Sequence, residues 1–142
     1  MSLVFDASMT LAWQFKRVDP AEILLAEEAL VELSSTQAFV PAIWYAEVAN
    51  SLLRGERQGV IAPAQTASFL NDLSQAEIET DTESPRGRQA RVLALARTHG
   101  LTAYDATYLE LAMRRAATLA TFDGRLADAA RAAGVRVFGD PA

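Results

Sequence analysis

A chain of 142 residues that is 51% hydrophobic is long enough for one domain with a buried core, expected over 1–142, and too apolar to be disordered. It has no cysteine and one histidine, which excludes disulfides, thiolate metal sites and thiol nucleophiles and argues strongly against structural zinc. A net charge of −5 argues mildly against a nucleic-acid binder, because affinity for phosphates usually rests on a basic surplus.

The start Met-Ser-Leu-Val-Phe-Asp has no basic segment and meets an acid at position 6, so it does not read as a signal peptide. Uncharged stretches such as 33–46 are too short and too polar to cross a bilayer, so a cytoplasmic protein with no membrane partner is expected.

The elements alternate strand and helix. Leu3 to Asp6 is a short apolar run, as a buried strand requires. Asp19-Pro20 supplies a cap and a first-turn proline for a helix from Ala21 to Leu33, where apolar residues recur at three- and four-residue steps. Ala38-Phe39-Val40 is a second strand, stopped by Pro41, which starts a helix to about Gln58, ended by Gly59. Pro63 to Leu73 is helical, Glu77 to Asp81 is a third strand, and Arg86 to Thr98 is a helix closed by Gly100. Thr102-Ala103-Tyr104-Asp105 leads into a helix through Arg115. Ala117 to Phe122 is a fourth strand, Asp123 begins a helix ending before Gly134, and Val135 to Phe138 is a fifth strand. Such alternation predicts a parallel sheet covered on both faces, with ligands bound outside the carboxyl ends of its strands.

Asp6, Glu47, Asp105 and Asp123 lie at strand ends or on apolar helices. Each aspartate has an ordinary explanation as a turn residue or helix cap. Glu47 is harder to explain so: its helical neighbours Ile43, Trp44, Asn50 and Ser51 carry no charge. It either reaches solvent or meets a cation. If the strands are parallel, the acids converge, and converged acids repel one another unless a cation neutralises them.

Four motifs carry a resemblance. The run 4–13 (Val-Phe-Asp-Ala-Ser-Met-Thr-Leu-Ala-Trp) resembles the opening of PIN-domain ribonucleases of the VapC toxin type. The runs 41–52, 101–112 and 119–126 are similar to their second, third and fourth acidic motifs, in family order over nearly the whole chain. The resemblance implies a three-layer α/β/α domain with a five-stranded parallel sheet. It also implies an Mg²⁺ or Mn²⁺ pocket of Asp6, Glu47, Asp105 and Asp123, with Ser8 and Thr121 as supporting hydroxyls. The implied activity is RNA hydrolysis leaving a 5′-phosphate and a 3′-hydroxyl. The implied partners are RNA, a VapB-like antitoxin laid on apolar faces of the helices 21–33 and 41–58, and a second copy in a homodimer. Arg86, Arg88 and Arg91 are candidates to flank the pocket with positive charge, against the alternative of a solvated helix face.

Other readings fit less well. A receiver-type phosphoacceptor domain wants adjacent acids after the first strand and a late lysine, whereas Ala7-Ser8 follow Asp6 and the one lysine is Lys16. A haloacid-dehalogenase-like phosphatase wants Asp-x-Asp, and position 8 is serine. A PIN-like RNA- or protein-binding module without catalysis is the remaining alternative.

Overall fold

The computed structural model describes residues 1–141. In chain order the elements are β1 (Ser2–Phe5), α1 (Ala7–Leu11), α2 (Pro20–Leu33), β2 (Gln37–Val40), α3 (Ile43–Arg57), α4 (Pro63–Gln75), β3 (Ile78–Thr80), α5 (Pro85–His99), α6 (Ala103–Arg114), β4 (Thr118–Ala120) and α7 (Gly124–Ala132). Local signals set many of these ends. The Asp19 carboxylate caps α2 by accepting from the Ala21 amide at 2.9 Å, with Pro20 in the first turn. Gly100 closes α5 in the left-handed region at φ 64°, where a side chain would strain the backbone.

The strands are parallel and ordered β3-β2-β1-β4. From β1 the chain winds to β2 and β3 on one side, then returns to β4 on the other. The winding direction reverses between β1 and β4, so the connections leaving these two strands part and open a crevice at their carboxyl ends. Asp6 leaves β1, and Thr121 and Asp123 leave β4. Right-handed crossovers put α1 to α4 on one face and α5 to α7 on the other, which gives the three layers. Leu3, Val4 and Phe5 have no exposed surface, as a central strand covered on both faces requires. On one face Phe5 packs edge-on to Trp44 of α3, with ring centroids 5.8 Å apart.

The expected fifth strand is a correction. In Val135–Phe138 only Val137 pairs, in one parallel bridge to Leu119, flanked by hydrogen bonds from the Leu119 amide to the Arg136 carbonyl and from the Phe138 amide to the Leu119 carbonyl. Two constraints stop the ladder. β4 is three residues long, and Gly134 and Gly139, at φ 79° and 95°, turn the chain on both sides of the segment. The sheet thus has four strands and a bridge.

A buried ion network locks α5 to α6 and to the end of β3. The Asp81 amide donates to the Val40 carbonyl at 2.8 Å, and the Asp81 carboxylate takes two hydrogen bonds from Arg114, at 2.9 and 2.7 Å, and one from Arg88, at 2.7 Å. Glu110 accepts from Arg114 and from Arg91, and Arg91 also pairs with Glu83. Burial pushes Asp81 up, but the bonds from Arg114 and the Glu83 amide, with the charges of Arg114 and Arg88, outweigh it and hold its carboxyl below the usual range. Arg88 and Arg91, considered above as a free basic flank or a solvated face, are therefore structural partners; Arg88 is buried and Arg86 alone of the three stays uncommitted and exposed. Among the described residues, no helix is long and apolar enough to cross a membrane.

Asp81→Ala leaves the buried Arg88 without its carboxylate, so urea unfolding at neutral pH should show a loss of about 3–5 kcal/mol. Because the folded carboxyl is depressed, its contribution is present above the ordinary aspartate range. The gap between variant and wild type should close as pH falls through the folded value.

Candidate functional site

Asp6 sits at the crevice mouth, 5% exposed. Its amide still belongs to the sheet, donating to the Ala120 carbonyl at 3.3 Å. Its carboxylate is held by three donors. The Met9 amide and the Ser8 hydroxyl reach Oδ1 at 3.0 and 2.7 Å, and the Thr121 hydroxyl reaches Oδ2 at 2.5 Å. Each hydroxyl also accepts a backbone N–H from the turn after β4: Phe122 on Ser8 and Asp123 on Thr121, both at 2.9 Å. Those incoming donors fix the lone pairs of the two hydroxyls, so their protons point at Asp6. Ser8 and Thr121 thereby staple the end of β1 to the end of β4. Oδ1 takes two donors and Oδ2 one, which leaves Oδ2 with capacity for one more partner.

Three further contacts set α3 against this junction. The Trp44 indole N–H donates to the Thr10 hydroxyl at 2.9 Å, and that hydroxyl donates to the Asp6 carbonyl at 3.0 Å. Gly55 lets Phe15 approach α3: a Cβ there would meet the Phe15 ring at 2.8 Å. A mid-helix glycine costs about 1 kcal/mol relative to alanine, and this close packing is its reason.

Asp105 does not cap its helix. Thr102 does, its hydroxyl accepting from the Asp105 amide at 3.1 Å, which places Asp105 in the first turn of α6. Asp123 does cap α7, accepting from the Leu126 amide at 3.0 Å. Capping and membership of the acid group coexist there, because the cap uses one carboxylate oxygen. Glu47, half-buried on α3, is met by neither solvent alone nor an arginine: the Tyr108 hydroxyl donates to its Oε1 at 2.5 Å.

Asp105 lies within range of the charges of the other three acids. The Asp105 carboxyl is pushed up to about 6, first by burial and then by the charges of Asp123, Asp6 and Glu47. Burial also raises Asp6; its three hydrogen bonds pull the other way and Asp123 adds to the rise. Glu47 is therefore on the same side of the molecule as the three aspartates. Among the described residues, no three acidic side chains are drawn tightly enough to form a ready-made metal cage. The donor set is nonetheless all hard carboxylate oxygen, which suits Mg²⁺ or Mn²⁺, and a cation would relieve the strain on Asp6 and Asp105.

Tyr108 is the site residue that sequence reading passed over. It lies one turn after Asp105 and reads as core filling, which it also is, at 1% exposure. The signal available was a tyrosine on the helix face of Asp105 in a chain with an unexplained Glu47.

Since the folded Asp105 carboxyl is raised, its ionisation costs stability that is absent below the ordinary aspartate range and complete above about pH 6. Asp105→Asn should therefore raise the melting temperature in chelator, with the gain growing from pH 4 to pH 6 and level above. A gain that is constant across that range would contradict the raised Asp105 carboxyl.

The chain is similar to known proteins in sequence and in fold. The chain is 29% identical over 130 residues to a protein named Ribonuclease VapC3 from Pyrobaculum aerophilum, spanning 90% of this chain and 94% of that one. Among solved structures it is similar to PAE2754 from Pyrobaculum aerophilum, with a TM-score of 0.67 and 21% identity over 91% of this chain and 86% of that one. It is also similar to a chain of a toxin–antitoxin complex from Klebsiella pneumoniae, with a TM-score of 0.60 and 21% identity over 86% and 87%. FitAcB from Neisseria gonorrhoeae matches with a TM-score of 0.61 and 20% identity over 96% of each chain. The family model described as PIN domain matches residues 3–132, and the chain belongs to the PIN domain family.

Proposed function

We propose that this protein is an Mg²⁺- or Mn²⁺-dependent endoribonuclease and the toxin of a type II toxin–antitoxin pair. The observation that carries the reading is geometric: Asp6 at the end of β1, Glu47 on α3, Asp105 in the first turn of α6 and Asp123 after β4 lie near enough for the other three to act on the half-buried Asp105 carboxyl. Acids brought together in this way are expected where a cation is to be held. The similarity to a protein named Ribonuclease VapC3 supports RNA as the substrate. The similarity to a chain of a toxin–antitoxin complex supports an antitoxin partner.

Asp6, Asp105 and Asp123 would hold the metal, and Glu47 would hold it or orient the attacking water. A bound Mg²⁺ or Mn²⁺ lowers the pKa of water and offsets charge on the phosphate. The rest of the work belongs to the chain. Ser8 and Thr121 keep the Asp6 carboxylate from turning, and the Trp44-Thr10 contact keeps α3 in register with it. Arg17 stacks on the Phe122 ring, 4.3 Å from its centroid, and pairs with Glu22 at 3.0 Å, which steadies the turn between Thr121 and Asp123. The antitoxin would cover apolar side chains exposed on α2 and α3, among them Leu24, Val31, Tyr45 and Leu53. A homodimer is part of the same reading.

Purified protein should cleave RNA with Mg²⁺ or Mn²⁺, stop in chelator, and fall to background as Asp6→Asn. Equal cleavage by wild type and variant would refute the assignment. Intact RNA together with failure to bind Mn²⁺ would favour the non-catalytic binding module.

A further inference from the structure

We infer that Tyr108 is a positioning residue for Glu47, acting through a single hydrogen bond from a buried phenol on α6 to a carboxylate on α3. The inference rests on the reading of the four acids as a metal site.

The Tyr108 ring is 1% exposed, so its hydroxyl has little water to turn to, and its one proton goes to Glu47 Oε1 at 2.5 Å. A phenol has no second donor, so the bond defines one oxygen of the pair. Among the described residues Oε2 has no protein donor and is left for the acid group. Glu47 needs such an anchor more than the aspartates do. Asp6 is held by three donors and Asp123 by a helix amide, each on a short side chain. Glu47 has an extra rotatable bond, lies half-buried, and would otherwise swing outward to water.

The placement also fits the topology. Right-handed crossovers put α3 and α6 on opposite faces of the sheet, so this bond reaches over its carboxyl edge. Asp105 and Tyr108 are one turn apart on α6, so the helix that presents one acid also steers another. The Asp81-Arg114 pair and the Arg91-Glu110 pair tie the far end of the same helix to the end of β3 and to α5, which gives the phenol a rigid base.

The test is a titration of Mn²⁺ without RNA, followed by the electron paramagnetic resonance of free ion, on Y108F, E47Q and the double variant. Y108F removes one oxygen from the core, and its urea midpoint reports that the fold is kept. The expected result is Mn²⁺ affinity about tenfold weaker in Y108F, with the double variant no weaker than E47Q alone. A purely structural tyrosine would shift the urea midpoint and leave Mn²⁺ affinity unchanged. Wild-type affinity in Y108F, or losses that multiply in the double variant, would overturn the inference. D6N in the same titration separates the two claims: if it binds Mn²⁺ like wild type, the metal site fails and the tyrosine's role goes with it.

Discussion

The seam between the carboxyl ends of β1 and β4, where neutral donors pin the buried Asp6 carboxylate, is the constraint on which the rest of the structure depends. Asp6 cannot leave, because its backbone belongs to β1 and its side chain is pinned by Ser8, Thr121 and the Met9 amide. Asp123 cannot leave without uncapping α7, and Asp105 is carried on a helix clamped at its other end. The acids are thus held in place by the backbone and by hydrogen bonds from neutral donors. Burial first, and the neighbouring acids second, raise the Asp6 and Asp105 carboxyls.

Two polar systems divide the labour. At the crevice between β1 and β4, acids outnumber cations and the hydrogen bonds come from neutral hydroxyls and amides, which orient a carboxylate without neutralising it. At the end of β3, the carboxylates of Asp81 and Glu110 are matched with arginines and held in the charged form. Both sets include buried acids. Only the second is internally compensated, which makes it a structural clamp.

Much of this was legible in the chain. Proline and glycine marked helix ends, capping aspartates gave their positions, and short apolar runs gave the strands. The acids stood out because each sat at a strand end or on an apolar helix. What was not legible depended on contacts between distant elements. The fifth strand had the right composition, but its length was limited by a three-residue partner and by two turns of the chain. Arg88 and Arg91 looked like a surface basic run because their partners, Asp81 and Glu110, come from β3's end and from α6. Tyr108 was hidden by being a good core residue as well as a donor, and Asp105 looked like a cap because Thr102, three residues earlier, is an equally good one.

The central claim is that these acids form one cation-binding pocket at the carboxyl ends of β1 and β4. The most direct measurement is a crystal structure of the wild-type protein soaked in Mn²⁺, read by anomalous scattering. The account predicts an anomalous peak bonded to Asp6 Oδ2 and within reach of Asp105 and Asp123. A well-ordered, fully ionised pocket with no peak at saturating Mn²⁺, or a peak bound elsewhere on the surface, would contradict it.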